Sequence, residues 1–324
     1  MAYAEAKPLD AAAIPVIDLA GLEAEPPEAL ARIGAELRRA AETIGFFYVR
    51  NHGLPPELIE QAFAIARDFF RRPLAEKQRV RINELHRGFL RVGEAKMYDG
   101  ARADLKESFV WGLDVGEDDP DYLAGRALVG PNRWPDFLPE MRPVLVAYLE
   151  ACNRLGWLLF QAFAAGLGVE PGTFIRSIAK PVTRASIIYY PPQPPELGSE
   201  QFGVAPHTDY GCLTLLNQDS VGGLQVRDRK GDWVTAQPIE GTLVVNVGDL
   251  MARWTNDRFA STPHRVVNAS GRERFSIGVF VDPDYETPIE PVVLPGETAR
   301  YAPTTCGDYI LGRLDKAFAY RGKT

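Results

Sequence analysis

The sequence predicts a mainly-β core of the sandwich or jelly-roll kind, with α-helices packed around its outside. Three observations carry that expectation. After Pro181 short β-branched or apolar runs alternate with turn signals: 186–190, 213–217, 223–226, 243–247, 264–267 and 275–281. Before Pro181 the apolar residues fall at helical spacing in three stretches. The run Arg227-Asp228-Arg229-Lys230-Gly231-Asp232 reads as a hairpin turn between two strands.

The elements follow in order. Ile14-Pro15-Val16-Ile17-Asp18-Leu19 is a short apolar run suited to a strand. Pro26 and Pro27 open a helical pattern through Ala41, with proline in the first turn where its missing N–H costs nothing. Residues 46–49 read as a strand closed by Asn51-His52-Gly53, and Pro56 opens a second helix to about Phe70. The stretch from Val80 to Pro135 is rich in glycine and charge and reads as irregular. A long helix runs from near Pro139 to Leu167 and stops at Gly168. Its Val144, Leu145, Tyr148, Cys152, Leu155, Leu159 and Phe163 share one buried face. The Pro/Gly segment 191–198 is a loop between strands, and a last helical piece covers about 307–318. We expect one domain over 1–324: a mostly helical region at 1–180, the β-core at 181–290 and a C-terminal extension at 291–324.

Composition narrows the function. A chain of 324 residues, 46% hydrophobic and 24% charged, can bury a sizeable core. Its net charge of −7 argues against a partner held by its phosphate backbone, so no nucleic acid is expected. No stretch reaches the roughly 18 apolar residues of a membrane span. The opening MAYAEAKPLD lacks a basic segment followed by an apolar run, so a cytoplasmic protein is expected. Cys152, Cys212 and Cys306 are odd in number and far apart, which suits buried reduced thiols rather than disulfides.

The chemistry concentrates at Pro206-His207-Thr208-Asp209-Tyr210. On a strand, residues two apart share a face, so His207 and Asp209 can reach one ion together. Only four histidines occur, and His264 in STPHRVV is the natural third ligand. Two imidazoles and a carboxylate on one face of an octahedron suit iron(II) and leave positions open for dioxygen and a co-substrate. Ten residues on, Arg274 and Ser276 share a strand face. A guanidinium fork with a hydroxyl beside it makes a carboxylate clamp.

The chain resembles the iron(II)/2-oxoglutarate-dependent dioxygenase superfamily, in the branch that includes isopenicillin N synthase. The resemblance covers nearly the whole chain through IPVIDLAGL, TIGFFYVRNHGLP, DLKESFVWG, HTDYGCLTLLNQDSVGGLQVRD, STPHRVVN and RFSIGVFVDP. A bare HxD is common. HTDYG followed by the distal STPHRVVN and RFS is specific. The resemblance implies a double-stranded β-helix, a distorted jelly roll, with flanking helices. It implies Fe(2+), 2-oxoglutarate and O2, with His207, Asp209 and His264 as metal ligands and Arg274, Ser276 and Tyr190 on the far carboxylate of 2-oxoglutarate. Decarboxylation of that co-substrate would drive hydroxylation or desaturation of a small-molecule metabolite, by a protein expected to act as a monomer. Two positions depart from many members. Ile188 stands where an asparagine precedes the tyrosine, and Ser186 where an arginine lies five residues before Pro191.

Blander readings stand beside these. An isolated His-x-Asp is as often a solvated pair as a ligand pair, and Arg274 alone could be a salt-bridge partner. His52 is expected to be structural, and for His86 exposure is preferred over contact with substrate, while Asp104, Lys106 and Glu107 form an ion-pair group. Candidate substrate contacts are Phe109, Trp111, Tyr189 and Phe280. With Tyr98 and Phe202 these suggest a small, partly apolar metabolite. Alternatives on the same metal are an oxidase of the isopenicillin N synthase type that does not use 2-oxoglutarate, or an ethylene-forming enzyme. A non-catalytic small-molecule sensor is the alternative of another class.

Overall fold

The computed structural model describes residues 3–7, 14–24, 26–94, 102–194, 196 and 198–317. Tyr98 and the last residue of the expected C-terminal helix, Phe318, lie outside them. The first half carries β1 (Val16–Asp18), α1 (Pro27–Thr43), β2 (Phe46–Arg50), α2 (Pro56–Phe70), α3 (Leu74–Gln78), β3 (Gly88–Leu90), β4 (Glu107–Gly112), α4 (Pro120–Leu123) and α5 (Met141–Leu167). Then come β5 (Arg184–Tyr190), β6 (Val204–His207), β7 (Leu213–Gln218), β8 (Leu224–Arg227), β9 (Trp233–Thr235) and β10 (Thr242–Val247). The chain closes with α6 (Asp249–Trp254), β11 (His264–Val266), β12 (Arg274–Val281), β13 (Pro288–Ile289), β14 (Thr304–Thr305) and α7 (Cys306–Ala317).

An eight-stranded sheet runs β1-β2-β10-β7-β12-β5-β4-β3, and a four-stranded sheet runs β6-β11-β8-β9. Period-two alternation in the large sheet feeds two cores. Outward residues such as Phe47, Val49, Val245, Leu215, Ile277, Val279, Ile187, Phe109 and Trp111 join the cluster under α1, α2 and α5. Inward residues such as Tyr48, Val244 and Tyr190 meet Val204, Leu224, Val226 and Val266 of the small sheet. This is the expected jelly roll with helices outside.

Local chemistry explains the helices. α1 and α2 both begin on proline, and α5 ends on Gly168 at φ 71, whose N–H closes onto Ala164 and Ala165. α1 lies directly on α5, where a Cβ on Gly34 would overlap the Ala162 carbonyl and Gly166. Among the described residues no helix is long and apolar enough to cross a membrane.

Two expectations need correction. The 80–135 stretch is not wholly irregular: β3 and β4 form one edge of the large sheet, pairing Phe89 with Phe109 and Phe109 with Ile187. β6 ends at His207, short of the strand expected to carry Asp209 as well, and β9 is the far arm of the expected 227–232 hairpin. β6 contains Pro206, and it survives because it is an edge strand of the small sheet. The 227–232 turn is as expected, with Asp228 N–H donating to Asp232 O at 2.8 Å between β8 and β9.

Candidate active site

The two histidines arrive on adjacent strands. β11 pairs with β6 so that His264 stands opposite His207, with ring centroids 4.3 Å apart. Asp209 arrives differently from the strand-face expectation. β6 ends at His207, and Asp209 sits in the loop beyond it. The loop is fixed by Asp209 O, which accepts from Asp249 N–H at 2.7 Å, and by the Asp282 carboxylate, which accepts from Cys212 N–H at 2.7 Å. Asp209 Oδ1 lies 3.7 Å from Nε2 of each histidine, and the three ligand atoms lie within 4.8 Å of one another.

The donor set fits a divalent metal ion. Nδ1 of His207 faces Ala205 O at 2.8 Å and Nδ1 of His264 faces Thr262 O at 3.2 Å. A carbonyl only accepts, so each Nδ1 carries a proton and each Nε2 is the ring nitrogen left facing the shared centre. The other oxygen of Asp209 accepts from Thr214 Oγ1 at 2.6 Å and Asn246 Nδ2 at 2.7 Å. Burial, then the charge on His264, hold the His207 pKa below its usual value, so its ring is neutral at physiological pH. Burial opposes ionisation of Asp209. The two histidines and its two side-chain donors outweigh that, and its pKa is lowered. A neutral imidazole and an ionised carboxylate are forms that a metal needs.

The expected clamp lies on the inner face of the large sheet. Arg274 and Ser276 are fully buried, with Arg274 opposite Tyr190 in the β12–β5 register. The guanidinium carbon sits 4.5 Å from the Tyr190 ring centroid. The guanidinium donates to Gly222 O, to Gln218 Oε1 at 3.3 Å and to Ser276 Oγ at 3.4 Å. These acceptors are all neutral. Among the described residues no carboxylate pairs with this buried cation.

A cavity of about 130 Å³ opens beside the metal cluster, lined by His207, Asp209, Lys106, Arg184 and Phe280 among others. Among the described residues Phe280 is the sole expected substrate contact on this lining. Phe109, Trp111 and Tyr189 are corrected: they are one residue out of phase and point to the opposite face of the sheet. Phe109 and Trp111 are wholly buried under the helices, and Tyr189 packs on Phe70 and Phe275. Their neighbours Ser108, Val110 and Ile188 face the cavity instead. Phe202 stacks beside Arg265, 5.4 Å from its guanidinium carbon.

Sequence reasoning missed Arg184. The signal was present, since counting back by twos from Tyr190 gives Ile188, Ser186 and Arg184 on one face. His86, for which exposure was preferred over substrate contact, is 7% exposed and lines the cavity. Both departures from the family pattern, Ile188 and Ser186, stand on the cavity wall. His52 lies elsewhere and accepts from Leu54 N–H at 3.2 Å through Nδ1. The three cysteines are buried free thiols.

Beyond the cavity's edge, α7 is tied to the ligand loop. Arg313 pairs with Asp249 at 2.8 Å and lies over the Tyr210 ring at 4.6 Å, and Leu314 reaches the lining.

Comparison with known proteins agrees with this geometry. Residues 14–137 match the family model described as non-haem dioxygenase in morphine synthesis N-terminal, and residues 183–283 match the 2OG-Fe(II) oxygenase superfamily. A 2-oxoglutarate-Fe(II) type oxidoreductase of Emericella nidulans is 35% identical over 314 residues, 94% of this chain and 90% of the relative. The chain belongs to the 2-oxoglutarate- and iron(II)-dependent oxygenases. It is an oxidoreductase that uses iron(II), 2-oxoglutarate and dioxygen. A homoarginine-6-hydroxylase of Glycine max is 33% identical, spanning 87% of this oxygenase and 89% of the relative. Among solved structures, a full-length Neurospora crassa protein in complex with alpha-KG and thymine superposes with a TM-score of 0.83 at 30% identity, covering 96% of this chain and 99% of that one.

Proposed function

We propose that in this oxygenase His207, Asp209 and His264 hold the iron, and that Arg274, with Ser276 and Tyr190, holds the far carboxylate of 2-oxoglutarate. A small-molecule metabolite enters the cavity beside them and leaves hydroxylated or desaturated. The observation that carries the co-substrate assignment is Arg274 itself. A wholly buried guanidinium with only neutral acceptors is costly, and an arriving carboxylate supplies the missing charge.

Iron(II) with 2-oxoglutarate supplies the oxidising chemistry: one atom of dioxygen goes into succinate as carbon dioxide leaves, and the oxidation of substrate uses the other. The chain's residues prepare that event. The two Nδ1–H bonds to backbone carbonyls fix the imidazole planes, and Thr214 and Asn246 hold Asp209 with one oxygen turned to the metal. Arg274 fixes the far end of the co-substrate, so its keto-acid end meets the metal in one orientation. The apolar wall around Phe280 excludes water from the reacting carbon. One chain supplies all these groups, which supports a monomer. Relatives of known structure are described with small molecules such as thymine, which supports a metabolite rather than a polymer as substrate.

The test is binding followed by turnover. Anaerobic iron-loaded protein should develop the pale visible band of the iron(II)–2-oxoglutarate complex. His207→Ala should abolish it. Arg274→Met should weaken 2-oxoglutarate binding by about 30-fold or more, the scale of about 2–5 kcal/mol for truncating one partner of a buried charge pair, and leave metal binding in place. Unchanged co-substrate affinity in Arg274→Met would sink the clamp assignment.

A further inference from the structure

The cavity wall carries two cations that the metal and co-substrate assignments do not use. Arg184 is 5% exposed, and the Lys106 side chain is 14% exposed. Both line the cavity beside His207 and Asp209. Each has a carboxylate partner, and neither partner faces the cavity. Asp282 lies 3.7 Å from Arg184 with a fully buried side chain, anchored by Cys212 N–H. Asp104 lies 3.4 Å from Lys106, also with a fully buried side chain, anchored by Ala205 N–H at 3.1 Å. The acids are sealed behind the wall while the cations reach its surface. Among the described residues Asp209 is the one carboxylate on the lining, and a bound metal ion would offset its charge.

Register places these groups. β12 sets Arg274 opposite Tyr190 and Phe280 opposite Arg184. The inner face of the large sheet therefore carries an arginine near each end, about 20 Å apart along the strands at roughly 3.3 Å per residue. The metal cluster meets this face near the Arg184 end, because Thr214, which holds Asp209, is opposite Phe280. One arginine serves the co-substrate acid. The other looks into the substrate cavity, with its guanidinium carbon 5.9 Å from the Phe280 ring centroid. Lys106 precedes β4, six residues before Gly112, the partner of Arg184, so it stands at the other end of the wall.

We infer that the primary substrate is a small organic acid whose carboxylate binds Arg184 and whose hydrocarbon body lies along Val110, Ile188, Phe280 and Leu314. Lys106 adds positive potential across the cavity without sharing the same oxygen atoms. This deepens the proposed function and rests on it. A guanidinium fork matches a carboxylate in two parallel hydrogen bonds, and in a water-poor cavity that match discriminates strongly against neutral analogues. Fixing the acid at Arg184 presents a C–H bond of the neighbouring body to the metal.

The experiment uses the full chain loaded with manganese(II) and 2-oxoglutarate, which binds without turning over. Calorimetry measures matched pairs of acid and primary amide: benzoate with benzamide, phenylacetate with phenylacetamide, 3-phenylpropionate with its amide, and hexanoate with hexanamide. At least one acid should bind tenfold or more tightly than its amide. Arg184→Gln should lower that acid's affinity at least tenfold, and Lys106→Met about threefold. The 2-oxoglutarate affinity, measured in the same samples, reports whether each variant is folded at the co-substrate end. Amides that match their acids across the panel would overturn the inference. So would an Arg184→Gln protein that binds 2-oxoglutarate and keeps its acid affinity, or a wild type that binds 2-oxoglutarate and no acid. The wild-type pairs decide the matter even if loss of the Arg184–Asp282 pair prevents folding. A wild type that binds neither metal nor 2-oxoglutarate overturns the proposed function instead, and the inference with it.

Discussion

Asp209 has two oxygens with different tasks. Oδ1 faces both histidines at 3.7 Å, and Oδ2 takes hydrogen bonds from Thr214 and Asn246. Without those donors the carboxylate can rotate and present either oxygen, so ligand geometry loosens. Thr214→Val keeps the shape and removes one donor. It should lower metal affinity by about 10–100-fold, the usual scale for losing a hydrogen bond to a metal ligand, as measured by competition with a chelator. An unaltered affinity would mean that the loop alone positions the carboxylate. At this scale the histidines, Arg274 and Ser276 were legible because they sit in a specific pattern. Thr214 and Asn246 were not, since their role depends on β7 and β10 lying side by side. Phe109, Trp111 and Tyr189 mark the limit from the other side. An aromatic near a pocket motif says little until register decides which face it takes, and one residue of phase separates the cavity from the core.

The helices owe their position to close contacts that sequence barely signals. Gly34 on α1 and Gly166 on α5 let the two backbones touch, and a Cβ at Gly34 would overlap the Ala162 carbonyl. Gly34→Ala gains helix propensity, which is a gain of about 1 kcal/mol at most. The overlap is with backbone, which cannot rotate away, so α1 must shift off α5. Overpacking of this kind costs about 1–3 kcal/mol, and we expect net destabilisation in urea unfolding of the wild type and variant side by side. A more stable variant would mean that α1 slides without loss. Long periodic elements such as α5 were readable from spacing alone. β3 and β4 were hidden because a strand of three to six residues in a Gly- and charge-rich stretch leaves no periodic signal.

The whole chain was expected to be one domain, and the sheet order gives that expectation its physical content. β2 comes from the first fifty residues and pairs with β10, deep in the second half of the sequence. β4 pairs with β5 at the opposite flank, so both flanks of the large sheet come from the N-terminal half. α5 then packs across the outer face against α1, α2 and β12. Neither half can unfold without exposing the core under α5 and leaving strand edges unpaired. We therefore predict a single calorimetric unfolding transition for the full chain, rather than a helical and a β transition. Manganese(II) and 2-oxoglutarate bind the folded form, so each should raise that transition, by about 2.7 kcal/mol at a hundredfold excess over its dissociation constant. On the proposed assignment both ligands bear on one inner face, the metal near Thr214 and the co-substrate acid at Arg274. If the sheet is one cooperative unit, both must shift the same peak. Two resolved peaks, of which only the later one responds to ligand, would divide the chain between its helical and β regions and refute the single-domain reading.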